Sequence, residues 1–212
     1  MKVVRRVATL STGLLTAGMV TLTPVSTAVA AQGSVPGTTA SSWQTNGVVR
    51  AVAYANGMVY LGGDFTSVRP PGSAAGSGEV ARNRIAAFNA TTGALVTSFN
   101  PNLNGAVRAL KVNPAGTTLY AGGDFTTVGS TARTRVASFN TSTGALTTWA
   151  PSVDYRVNSL AAGTTGVYIG GGFGRVNNIP HLRLARVNPT TGALTETGHQ
   201  LDLGTPVSVL FL

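Results

Sequence analysis

A five-residue phrase appears three times in the chain, as Leu61-Gly62-Gly63-Asp64-Phe65, Ala121-Gly122-Gly123-Asp124-Phe125 and Ile169-Gly170-Gly171-Gly172-Phe173. Two further elements recur in fixed order around it. One is an Arg-led apolar segment ending in Asn (Arg84 to Asn89, Arg135 to Asn140, Arg183 to Asn188), and the other is a Thr-Gly-Ala-Leu turn (Thr92 to Leu95, Thr143 to Leu146, Thr191 to Leu194). From Gly93 to Gly144 is 51 residues and from Gly144 to Gly192 is 48, while Val107, Val157 and Val207 are spaced by 50. A unit of this length is about half an immunoglobulin-like sandwich and several times one rung of a β-helix. The chain must therefore fold as an array of small, similar units, each burying its apolar surface against the next.

Each unit reads as four short strands. The first is Val48 to Tyr54, matched by Val107 to Val112 and Val157 to Ala162; these are apolar on both faces, as a strand packed between layers should be. The second is Met58 to Gly62, matched by Thr118 to Gly122 and Val167 to Gly170. The links between them, Asn56-Gly57, Pro114-Ala115-Gly116 and Gly163-Thr164-Thr165-Gly166, have hairpin chemistry, because glycine supplies the positive φ of a tight turn. The third strand is Ile85 to Phe88 with its equivalents, and the fourth runs from Leu95 to Phe99 and from Leu146 to Trp149. The Asn-x-Thr/Ser-Thr-Gly link between them is a turn, which accounts for the glycosylation sequons at Asn89 and Asn140 without any sugar.

Four antiparallel strands in about 50 residues is the pattern of a β-propeller blade, so the expected fold is all-β with blades at about 48–104, 105–154 and 155–204, followed by the first strand of a further blade. The composition agrees: charged residues are 10 %, there are 27 glycines, and no long helix-forming run occurs. A closed ring needs at least four blades, so the expectation is an incomplete propeller whose partners include the remaining blades of a longer chain. Trp43 precedes Val49 much as Trp149 precedes Val157, and it reads as the last aromatic of a repeat whose other strands lie elsewhere.

Residues 1–30 open with Lys2, Arg5 and Arg6, continue through an apolar stretch diluted by Thr and Ser, and reach Ala28-Val29-Ala30. This is an export signal cleaved after Ala30, with no stable membrane insertion afterwards, and the expected location is secreted and extracellular. Residues 31–47 read as a flexible entry. The net charge of +9 includes the three signal-segment cations; the remaining 12 basic residues are scattered, 11 of them Arg, and form no stripe with aromatic partners, which argues against nucleic acid. There is no cysteine, so stability must come from packing alone.

Val59 to Thr66, Arg84 to Asn89, Leu95 to Pro101 and Val107 to Leu110 resemble the delta-60 type β-propeller repeat of secreted, mostly actinobacterial proteins, and also resemble repeats in fungal cell-surface polarity-marker proteins. The resemblance covers roughly residues 48–210. It implies a secreted propeller, often beside carbohydrate-binding or immunoglobulin-like modules, and it supplies no catalytic motif. Gly172 in place of Asp, and the loss after Leu194 of the aromatic-x-Pro seen at Phe99-Asn100-Pro101 and Trp149-Ala150-Pro151, are departures from the pattern.

No catalytic, cofactor-binding or metal-binding residue is assigned. The carboxylates available after cleavage are Asp64, Glu79, Asp124, Asp154, Glu196 and Asp202, and the histidines are His181 and His199. None falls in a His pair, a calcium loop or a phosphate cradle. His181 occupies the slot of Arg82 and Arg133, so it reads as a scaffold cation. A phrase repeated once per blade is scaffold: the glycines let the chain pass close to its neighbour, the Phe fills the core between blades, and Asp64 and Asp124 are expected to pair with Arg84 and Arg135 or to cap nearby amides. The first repeat carries nine extra residues within Arg69 to Val80, in a loop at the end of the blade where ligands of propellers bind. The expected function is a secreted, non-catalytic binding or adhesion module for an extracellular glycan or protein; the alternative is the N-terminal propeller part of a larger secreted carbohydrate-active enzyme.

Overall fold

The computed structural model describes residues 42–195. The expected signal segment, most of the expected entry segment, the strand expected at Val207, and Glu196, His199 and Asp202 lie outside them. Every regular element among the described residues is a β-strand.

Three blades follow one another. In blade 1 the strands Val49–Ala55, Met58–Gly63 and Ile85–Asn89 form an antiparallel sheet in that order; blade 2 repeats it with Val107–Val112, Thr118–Gly123 and Val136–Asn140, and blade 3 with Val157–Ala162, Val167–Gly171 and Leu184–Val187. The first strands of successive blades lie beside one another. All three blades carry a register shift at the same place, Val49/Ala51, Val107/Ala109 and Val157/Ser159. Asn56 and Gly57 both take positive φ (49° and 73°), which makes the first hairpin the tight turn its Asn-Gly dictates. These are β-propeller blades, and the three of them do not close into a ring.

The fourth strand is shorter than its apolar run suggests. It survives as one bridged pair per blade, Phe88 with Leu95, Phe139 with Leu146 and Val187 with Leu194. Beyond that bridge the chain turns inward so that its aromatic enters the core. Phe99 packs edge-on against Tyr60 of its own blade (5.4 Å between ring centroids) and Phe139 of the next (5.7 Å), and Trp149 packs against Tyr120 at 5.0 Å. Burying such a ring between blades outweighs extending an edge ladder.

Between second and third strands each blade carries a short hairpin: Ser67–Arg69 with Val80–Ala81, Thr127–Val128 with Thr131–Ala132, and Arg175–Val176 with Ile179–Pro180. Gln44–Thr45, within the stretch whose composition reads as flexible, adds a strand to the first of these hairpins. Leu103 and Val153 make the matching bridges to Val128 and Val176.

The paired glycines have separate causes. A side chain at Gly62 would collide with Val107 of the next blade, and one at Gly122 with Val157, at 2.5 and 2.7 Å. A side chain on the second glycine would strike the carbonyl that precedes the first strand, at 2.0 Å for Gly63, 1.9 Å for Gly123 and 2.1 Å for Gly171. The first glycine sets blade-to-blade distance and the second sets strand-to-strand distance within a blade. The three phenylalanines of the phrase are fully buried.

This distinction predicts unequal costs. Gly123→Ala, which must displace backbone, should lower stability by about 3 kcal/mol. Gly116→Ala, at a turn with φ of 74° and Asn56 Oδ1 no nearer than 3.4 Å, should cost about 1 kcal/mol. Urea unfolding of the two variants checks the order.

Candidate functional site

At one end of every blade the first strand begins where the second runs out through the Gly-Gly-Asp-Phe turn, which in blade 3 reads Gly-Gly-Gly-Phe. An Asx side chain clamps this end. Asn46 Oδ1 accepts from the amides of Thr66 and Ser67 at 2.8 and 3.0 Å while its Nδ2 donates to the Thr66 hydroxyl; Asn104 repeats all three bonds with Thr126 and Thr127. Asp154 stands in this position in blade 3 and accepts from the Gly174 amide at 2.9 Å. These bonds give the rim a fixed backbone, from which side chains of the first strand and the turn project.

The carboxylates of the turn do not pair with Arg84 and Arg135 as the spacing suggests. Asp64 pairs with Arg50, whose Nε lies 2.8 Å from Oδ2, and Asp124 pairs with Arg108 at 2.7 Å. The guanidinium groups of Arg84 and Arg135 instead donate to the backbone carbonyls of Asp64 and Asp124. The reason is conformational. Arg84, Arg135 and Arg183 all hold left-handed φ (69°, 72° and 63°), kept there by backbone bonds on both sides, such as Arg84 N to Phe65 O and Gly63 N to Arg84 O. That backbone aims the guanidinium at the peptide of the turn, and the carboxylate faces the second residue of the first strand. The sequence held a signal for the true pairing: Arg50 with Asp64 and Arg108 with Asp124 occur together, and in the third repeat both partners are gone, replaced by Asn158 and Gly172.

Blade 3 departs from its neighbours at four rim positions at once. Where blades 1 and 2 have Gly47 and Gly105 it has Tyr155; where they have Val48 and Ala106 it has Arg156; and Asn158 and Gly172 replace the ion pair. Tyr155, Arg156 and Gly172 meet in space. The Tyr155 ring lies 2.9 Å from where a Gly172 side chain would begin, so the aspartate of the other blades has no room here. The Arg156 guanidinium sits over the Tyr155 ring, 5.2 Å from its centroid, and its Nε reaches back to Asp124 Oδ1 at 3.5 Å. Asp124 thus has an arginine on either side, and this stretch of rim carries one more positive charge than blade 1, beside a half-exposed aromatic face. Position-by-position comparison of the repeats would have found this cluster; scanning for catalytic motifs did not.

The other candidates are occupied in the scaffold. Glu79, at the end of the first-repeat insertion, accepts from the Ser67 hydroxyl and the Gly76 amide and so ties the loop back to its hairpin. His181 sits where Arg82 and Arg133 sit, its amide bonded to Gly174 O as theirs are to Thr66 O and Thr126 O. Among the described residues no group of three or more His, Cys, Asp or Glu is placed to hold a metal. Two open grooves border the rim strands: an apolar one of about 560 Å³ between the first strands of blades 1 and 2, with Tyr54, Leu110 and Lys111 in its walls, and a polar one of about 330 Å³ that includes Asn83, Asn102 and Asn104.

Two predictions follow from the ion pairs. In double-mutant cycles, Arg108→Ala with Asp124→Ala should show a coupling of about 0.5 kcal/mol, whereas Arg135→Ala with Asp124→Ala should be additive, because the Arg135 bond ends on a backbone carbonyl. The Arg50 hydrogen bond holds the Asp64 carboxyl below its ordinary range, the Ser67 hydroxyl does the same for Glu79, and the backbone amides at Arg175 and Gly174 for Asp154. A carboxyl depressed on folding stabilises above its unfolded pKa, about 4, and loses that contribution as pH falls through its folded value. Stability should therefore be level through neutral pH and decline below about pH 4, with a shallower decline in Asp64→Asn.

Several solved structures resemble the chain at low identity. The computationally designed Ika4 protein shares 12 % identity over 68 % of this chain and 94 % of its own, with a TM-score of 0.33. The WD40 repeats of RRP9 share 10 % over 69 % of this chain and 54 % of theirs, with a TM-score of 0.31, and the designed Ika8 protein 12 % over 70 % and 61 %, with a TM-score of 0.27. No curated protein matches the chain. The family model described as the Rax2 C-terminal beta propeller domain matches residues 85–212, from the third strand of blade 1 through blades 2 and 3. That span is more than half of the chain, and the chain belongs to the Rax2 C-terminal β-propeller domain family.

Proposed function

We propose that this β-propeller segment is a secreted, non-catalytic module, with repeats of the delta-60 type, that binds an extracellular glycan on the rim of blade 3. The observation that carries the reading is the clustered departure of Tyr155, Arg156, Asn158 and Gly172 from two neighbouring blades that fold without them. In an array of equivalent units, residues that differ together on an exposed edge and are not required by the fold are the place where function is grafted. An exposed tyrosine offers a flat apolar face to a sugar ring, and an adjacent arginine selects a carboxylate or sulfate on that sugar. The engagement of Asp64, Glu79, Asp124 and Asp154 in scaffold bonds supports a binding role over a hydrolytic one, and the basic start and Ala28-Val29-Ala30 support export.

Titration of acidic and neutral oligosaccharides onto the chain tests the reading by calorimetry. Tyr155→Ala and Arg156→Ala should each weaken binding of the acidic sugars by about tenfold, equivalent to about 1.4 kcal/mol, while leaving the melting temperature within a few degrees. Full binding by both variants, or none by the unaltered chain, would reject the rim of blade 3 as the site.

A further inference from the structure

The short hairpins of blades 2 and 3 join the chain that enters each blade in the same way. Val128 bridges Leu103 in one and Val176 bridges Val153 in the other. The residue after each bridge donates its amide to the carbonyl before it, Gly129 N to Asn102 O at 2.8 Å and Asn177 N to Ser152 O at 2.7 Å. Gly129 and Asn177 hold the same left-handed backbone, with φ of 54° and 51°. One of the two positions carries a carboxamide and the other carries no side chain.

In blade 3 that carboxamide ties two backbone groups together. Asn177 Oδ1 accepts from the Ser152 amide at 2.8 Å, and its Nδ2 donates to the Gly192 carbonyl at 3.0 Å. The corresponding groups in blade 2 are the Asn102 amide and the Gly144 carbonyl, and neither has a hydrogen-bond partner among the described residues. A side chain at Gly129 would meet nothing nearer than the Pro101 carbonyl, at 3.8 Å. The space is part of the polar groove of about 330 Å³ that Gly129 and Asn102 share with Asn83, Arg84 and Thr127. Its walls come from blades 1 and 2 and the link between them.

We propose that this groove takes the acetamido group of an N-acetylated amino sugar. An acetamido group carries the same donor and acceptor that Asn177 supplies in blade 3. Its carbonyl oxygen accepts from the Asn102 amide, and its N–H donates to the Gly144 carbonyl. The sugar ring then lies toward the Thr127 hydroxyl and the Asn83 carboxamide oxygen. Neither has another partner among the described residues, the Asn83 Nδ2 alone being spent on Asn102 Oδ1 at 2.6 Å. The choice of a sugar over a peptide amide rests on the glycan reading, but the site is separate from the rim of blade 3, and Tyr155 and Arg156 take no part in it.

Backbone-amide NMR of the chain, titrated with a trimer of N-acetylglucosamine and with the matching glucose trimer, tests it. The acetylated trimer should move the signals of Asn102 and of Ala145, whose amide shares a peptide bond with the Gly144 carbonyl. The glucose trimer should bind about tenfold more weakly, having lost both amide hydrogen bonds. Gly129→Asn supplies the carboxamide from within the chain, at a backbone conformation that asparagine tolerates, and should abolish the response. Asn177→Gly opens the equivalent space in blade 3 and should add a second site that moves the Ser152 signal. Tyr155→Ala should leave the response intact, so a failure of the acidic-sugar site and a failure of this one are separate results. Equal binding of the two trimers, binding of neither, or full binding by Gly129→Asn would overturn the proposal. So would an N-acetylated dipeptide that moves the same signals while the sugar does not.

Discussion

The fold depends on how closely backbone can approach backbone at the Gly-Gly step. The first strand of each blade must pass over the second with the Val48, Ala106 or Arg156 carbonyl about 2 Å from where the side chain of the second glycine would begin, and the next blade must pass over the first glycine in blades 1 and 2. With those contacts allowed, the tyrosine beside the glycines reaches the next blade's turn, the fourth-strand aromatic wedges between them, and the Phe of the phrase is sealed beneath. Close packing makes these consequences interdependent, since an interior at crystal-like density leaves no slack to absorb an added methyl group.

A second constraint lies in the turn itself. Three arginines hold left-handed backbone at one repeat position, although side chains other than Gly or Asn seldom adopt it. The cost of roughly 1 kcal/mol per residue is offset at all three by two backbone hydrogen bonds, and at Arg84 and Arg135 also by the guanidinium bond to the turn carbonyl. This explains why the arginine persists in blade 3 as Arg183 although the aspartate has become Gly172: it was never the aspartate's partner. The aspartate belongs to the first strand's arginine, and the pair is present or absent as a unit. Blade 3, freed of that pair, places a tyrosine and an arginine on the same rim, where they face solvent rather than core.

Architecture was legible because repetition averages out local ambiguity. Any one apolar run, such as Ile85 to Phe88, is compatible with several folds, but three copies of the same four runs separated by Asn-Gly, Pro-Ala-Gly and Thr-Gly turns leave only a blade. The short hairpins such as Ser67–Arg69 with Val80–Ala81 were not legible: they are two or three residues long, too short for periodicity to register. The abbreviated fourth strand was misjudged for a related reason, because Val96 and Phe99 look equally extended in sequence while only packing shows that the aromatic turns inward. The candidate rim was half visible: the substitution of Gly172 stood out, but its link to Tyr155 and Asn158, some 15 residues away, depends on which strands are neighbours.

The amino-acid sequence by itself determined the blade unit, its length and its turns, because these follow from hydrophobic periodicity and from glycine's freedom of φ, both local properties. Tertiary structure alone decided which arginine faces which carboxylate, since charge spacing along the chain does not specify direction and the left-handed backbone at Arg84 and Arg135 turns their side chains away. It alone brought Tyr155, Arg156 and Gly172 onto one exposed edge, because the antiparallel pairing of first and second strands places the start of one against the end of the other.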